Sequence, residues 1–169
     1  MTTPTWVLTV AFWVHMAATV AWIGGLFFQA FVLNPILSDS RQPQLWEDIL
    51  RGMRRRFEPI AWLSLGALVV TGLIQMEASP QYQGFLVIGS RWAQAILLKH
   101  ISIALMVAAA AYQTWFLQPK LERTLLLRAK RPDAVLPREG TVQSQARLTR
   151  VNLALSLIVL ALTAIARTA

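Results

Sequence analysis

Residues Trp6 to Leu33 read WVLTVAFWVHMAATVAWIGGLFFQAFVL, inside a stretch from Met1 to Ser38 that has no Lys, Arg, Asp or Glu. A hydrocarbon layer about 30 Å thick is crossed by about 20 mostly apolar residues in helical conformation. This run is long enough, and its one ionisable side chain is the imidazole of His15. Three more windows meet the same test: about Pro59 to Met76, about Trp92 to Leu117 interrupted only by Lys99, and about Leu148 to Ala166. Arg150 lies near the start of the last window, where its long stem lets the guanidinium snorkel to the headgroups. The expected fold is all-α, a single membrane domain over residues 1–169 in the form of a four-transmembrane-helix bundle.

Composition agrees. Of 169 residues, 56% are hydrophobic and 14% charged, more apolar surface than one soluble core of this size hides. The first run is expected to be a retained crossing and not a cleaved leader. No basic residue precedes it, and it exceeds the 7 to 15 residues of a signal core. The chain has no cysteine, which excludes disulfides, thiolate metal sites and thiol redox chemistry.

The net charge of +8 would suit nucleic acid, but its placement points to a membrane. Arg41, Arg51, Arg54, Arg55 and Arg56 fall in the first loop, and Lys120, Arg123, Arg128, Lys130, Arg131, Arg138, Arg147 and Arg150 in or beside the third. Only Arg91, Lys99 and Arg167 lie elsewhere. The positive-inside pattern therefore sets loops one and three in the cytoplasm and both termini outside. The lipid bilayer is the expected partner, and nucleic acid is not.

Asn34 and Pro35 mark the expected inner end of the first helix. After Pro43, Leu45, Trp46, Ile49, Leu50 and Met53 form an apolar stripe with flanking charges, which reads as a short cytoplasmic interfacial helix. The outer loop, near Ser79 to Ser90, contains Pro80, Gly84 and Gly89. The third helix is expected to run past the membrane until Pro132 stops it. There is no internal repeat, and the Gly24-Gly25 pair reads as close helix packing.

Both histidines, His15 and His100, fall inside membrane windows, a costly position unless each has a partner. With Trp6 and Trp92 as outer interface markers, they lie about 13 Å and about 12 Å deep at 1.5 Å per residue. Ala11, His15, Ala18, Trp22, Gly25 and Gln29 recur at helical spacing, and so do Ile96, His100, Ile103, Val107, Ala110 and Thr114. Each stripe turns its histidine toward the bundle interior. Two imidazoles at one depth suit a transition metal, or the two axial positions of one b-type haem. The plainer alternative is that each bonds a neighbouring helix.

Lys99 either snorkels or pairs with an anionic group such as a propionate. Thr71 and Gln75, one turn apart in the second window, are supporting polar residues. Met76 beside Glu77 is a weak candidate for a soft ligand at the outer mouth, while Met16 and Met106 point away from the histidines on their own helices.

The stretch HMAATVAWIGGL, His15 to Leu26, resembles the membrane domain of the copper resistance D (CopD) family. Similar pieces are RRRFEPIAWLSLGALVVTGL (Arg54 to Leu73), LLLKHISIALMVAAAAYQTWFLQPKL (Leu97 to Leu121) and RLTRVNLALSLIVLALTAIAR (Arg147 to Arg167). That resemblance implies copper uptake, handling or tolerance at the bacterial cytoplasmic (inner) membrane, with His15 and His100 as copper ligands. His15, Trp22, Gly24, Gly25, Leu26 and Lys99 also resemble the pattern of the HemJ-type protoporphyrinogen oxidases, small b-haem proteins. The tyrosine-histidine pair of that family's third helix stands here as Tyr112-Gln113.

Three functions follow as expectations. The first is copper binding between helices one and three. The second is a b-haem redox subunit or porphyrinogen oxidase using the same histidines, with Trp22 and Lys99 at the cofactor. The third is a non-catalytic subunit that packs against a membrane-protein partner or a second copy. No hydrolytic constellation and no phosphate-binding glycine loop is visible.

Overall fold

Inside hydrocarbon no water is at hand to satisfy a peptide group, so each charge-free window has to close its own hydrogen bonds, which a helix does within one segment. The computed structural model describes residues 4–39, 49, 51–80, 91–130 and 138–168, and among these it is helical without a strand. Its helices are α1 (Thr5–Phe28), α2 (Asn34–Asp39), α3 (Glu58–Glu77), α4 (Arg91–Tyr112), α5 (Gln118–Lys130) and α6 (Arg138–Thr168). Four stretches are long and apolar enough to cross a membrane: Thr5–Ile36, Arg55–Glu77, Arg91–Arg123 and Gln143–Ala166. They contain the four windows read from charge and hydropathy. The helix from Arg91 does run on to Lys130, just short of Pro132. Most of the expected interfacial helix (41–48 and 50) lies outside the described residues, as does most of the outer loop (81–90).

Asn34 and Pro35 do not end the first helix. A π-turn, Gln29–Leu33, joins α1 to α2, with the Asn34 N–H bonded to the Gln29 carbonyl five residues back. The same device recurs at Met53–Phe57, where Glu58 bonds Met53, and at Gln113–Leu117, where Gln118 bonds Gln113. In all three the next residue is proline: Pro35, Pro59 and Pro119. A proline ring inside an α-helix collides with the carbonyl four residues back and offers no N–H. Widening the preceding turn by one residue relieves that collision, and the helix continues.

Packing is pairwise. α1 lies extensively against α3 and α4 against α6, while α1 meets α6 along a shorter seam. The second and third crossings touch near the ends that bear loops one and three, the inner ends in the expected orientation, through Trp62 and Trp115, stacked with ring centroids 5.8 Å apart. Trp22, Leu26, Ala30, Leu65, Met106 and Leu153 form the central core, and Met76, Trp92, Ala95 and Ala166 form a second cluster toward the outer end. The surface beyond is apolar, with Trp13 71% and Leu63 76% exposed, as lipid-facing side chains are.

The two adjacent glycines behave differently. A Cβ at Gly25 would collide with the Phe57 ring, whereas one at Gly24 would meet nothing within 4 Å. Close packing therefore holds for Gly25 alone. Gly24 is exposed on the other side of the helix.

Candidate functional site

The stripe Ala11, His15, Ala18, Trp22, Gly25 and Gln29 is buried or half-buried throughout. It faces α3 at its outer end, where Gln75 donates to the Ala11 carbonyl at 3.3 Å and the His15 ring lies over Gly72. His15 Nδ1 is 2.8 Å from Thr71 Oγ1, and the Thr71 hydroxyl donates to the Ala67 carbonyl one turn back. A hydroxyl has one proton. Because Ala67 takes it, Thr71 accepts from His15, and the imidazole carries its proton on Nδ1 with the lone pair on Nε2.

His100 reaches the same tautomer by another route. Its Nδ1 lies 2.7 Å from the carbonyl of Ile96, which can only accept, so this ring also donates from Nδ1. Its stripe on α4 is half-buried at Ile96, Ile103, Val107, Ala110 and Thr114, with Val107 and Ala110 against the central core. Both imidazoles thus lie on inward stripes and hold Nδ1 on a neutral oxygen acceptor. Lys99 is half-buried beside His100. The first and third crossings share little close helix packing.

One bonded layer joins the first, third and fourth crossings: Trp22 Nε1 donates to Ser156 Oγ at 3.1 Å, and Ser156 Oγ lies 3.8 Å from Met106 Sδ. Along their own helices His15 lies seven residues from Trp22 and His100 six residues from Met106, or about 10 Å and about 9 Å. Met76 is buried beyond the histidines in the outer cluster beside Trp92.

The inner half contains what hydropathy and titratable residues did not reveal. A cavity of ≈ 70 Å³ lies below Trp22, with Gln29, Trp62, Gln113, Gln118, Gln145 and Asn152 among its walls. Gln113 donates to the Gln145 carbonyl at 3.3 Å and to Thr149 Oγ1 at 3.1 Å. Asn152 is 0% and Thr149 1% exposed.

A family comparison matches copper resistance protein D over residues 51–166. The chain belongs to the CopD family. The matched segment covers the second, third and fourth crossings, with His100, Lys99, Thr71, Gln75 and Met76, and it stops short of the first crossing with His15 and Trp22. No curated protein and no solved structure matched the chain. Among the described residues of this CopD-family protein, no group of three or more His, Cys, Asp or Glu side chains is placed to hold a metal.

The residues that sequence reading passed over are neutral. Gln145, Thr149, Asn152 and Ser156 recur at spacings of four, three and four, a polar stripe down the apolar α6. That periodicity is visible in the sequence and marks a buried interior face. Gln113, the residue that follows Tyr112, is the hub that joins this stripe to the third crossing.

Proposed function

We propose that this CopD-family protein binds copper(I) as its cargo between His15 and His100, in the outer half of the bundle, for copper uptake, handling or tolerance at the bacterial cytoplasmic membrane, with loops one and three on the cytoplasmic side. The observation that carries this proposal is that both rings hold Nδ1 on a neutral oxygen acceptor, His15 on Thr71 Oγ1 and His100 on the Ile96 carbonyl. Metal-bound histidines characteristically donate their other ring N–H in this way, which fixes tautomer and orientation. Zinc wants a tetrahedral set of about four ligands. Copper(I), a closed-shell ion, is content with two imidazoles, and imidazole suits copper.

Thr71 is then a positioning residue for His15, and Gln75 ties the second crossing to the first one turn further out. Met76 offers a weak thioether ligand at the outer end. Lys99 opposes a further positive charge nearby, so copper bound there is readily exchanged, as cargo has to be. Trp22 closes the site from below.

The test is metal analysis and absorption spectroscopy of the detergent-purified protein after copper(I) loading. Expected is stoichiometric copper without a Soret band, lost in both His15→Ala and His100→Ala. A Soret band lost in the same variants would assign the two rings to a b-type haem. Neither cofactor, with both variants still conferring normal growth under copper stress, would leave a non-catalytic subunit of a larger membrane complex.

A further inference from the structure

The three π-turns end at the same side of the bundle, and each supplies walls to one cavity: Gln29 from the first, Phe57 from the second and Gln113 from the third. Each is followed by a proline that withholds an N–H, so each helix leaves one backbone carbonyl without its ordinary intrahelical donor. The fourth wall supplies a buried acceptor. Asn152 is 0% exposed and lines the cavity, yet its Oδ1 has no hydrogen-bond partner. An acceptor left unsatisfied at this depth is unfavourable if the cavity is dry. At ≈ 70 Å³ the space holds several water molecules.

The cavity also reaches the edge of the membrane. Met53 and Glu58 line it and flank Arg55, where the second apolar stretch begins. At its end toward the middle of the bundle stands Trp22, held by Ser156 about 10 Å along the first helix from His15.

We propose that the inner half of the bundle is a hydrated vestibule, open on the side that bears loops one and three and closed toward the histidines by Trp22. Its ligands are hydrogen-bond donors, water first among them, and Asn152 Oδ1 accepts from that water. The vestibule and its septum do not depend on what the histidines bind.

The chain contains no cysteine, so single cysteines can be introduced without background. Ala110→Cys and Ala61→Cys place reporters on two walls of the cavity. Val151→Cys is the lipid-facing control beside Asn152 in the chain, and Ala18→Cys lies beyond the septum, one turn outward of Trp22. Ser144→Cys, exposed near the start of α6, marks the face that bears loop three. Each variant is treated in membrane vesicles with a charged, membrane-impermeant thiol reagent applied to one face.

Only the thiolate reacts, and every unit by which a dry apolar site raises the thiol pKa slows labelling about tenfold. Both wall reporters should label about tenfold or more faster than Val151→Cys and Ala18→Cys, from the same face as Ser144→Cys. Introducing Asn152→Leu should slow the wall reporters, because the apolar side chain removes the water's acceptor. The proposal is overturned if both wall reporters label no faster than Val151→Cys, or only from the face opposite Ser144→Cys. Equal rates for Ala18→Cys and the wall reporters overturn it too, because the septum is then absent.

Discussion

Replacing Thr71 with valine exchanges a hydroxyl for a methyl of similar volume and leaves His15 Nδ1–H without its acceptor. Thr71 is 7% exposed, so no lipid headgroup or bulk water takes its place. Interhelical hydrogen bonds in membranes average about 0.6 kcal/mol, and a buried donor left unpaired costs about 1–3 kcal/mol. The expected loss of stability is about 1–2 kcal/mol, since the imidazole retains some freedom to turn. Its effect on metal should be larger. Removal of an outer partner of a ligating histidine lowers affinity about 10- to 100-fold, or about 1.4–2.7 kcal/mol. Competition with a copper(I) chelator, read by absorbance in detergent, measures the second quantity, and denaturant unfolding the first. Thr71→Ser should keep both near the parent values, because it retains the hydroxyl. If Thr71→Val loses stability but holds copper within about twofold of the parent, Thr71 is a packing partner and does not orient His15 for a metal.

Two further substitutions test the packing directly. Gly25→Ala should destabilise by about 1–3 kcal/mol, because its Cβ must push the Phe57 ring aside, whereas Gly24→Ala should be neutral or stabilising by about 0.5–1 kcal/mol; chemical unfolding of the pair in one detergent distinguishes them. Ser156→Ala removes the acceptor of Trp22 Nε1 within a buried layer and should cost about 1–3 kcal/mol in the same assay, with no comparable loss for Ser144→Ala on the exposed end of α6.

Much of the bundle was legible in the sequence because lipid imposes a simple rule. A charge-free run of sufficient length has to cross, and the spacing of Ala11, His15, Ala18 and Trp22 says which face turns inward. Hydropathy does not record hydrogen-bond register, however, so Asn34-Pro35 reads as a helix end although a widened turn lets the chain pass through it. Gly24 and Gly25 are indistinguishable by composition, and only the position of Phe57 tells them apart. The histidines stood out because they titrate. Gln113, Asn152 and Thr149 carry no charge; the spacing of Thr149 and Asn152 is visible in α6, but their bonds to Gln113 appear only when α6 is laid against the third crossing.

The pairwise packing also bears on how the molecule is made. Consecutive crossings are partners, α1 with α3 and α4 with α6, so each pair can associate as a hairpin once its second helix has entered the bilayer. A nascent chain halted after the second crossing already shelters His15 against Thr71. What has to wait for the fourth crossing is the clasp of Trp22 on Ser156, so the barrier across the middle of the bundle is completed only when that crossing has entered the bilayer, and a chain halted before it has no such barrier.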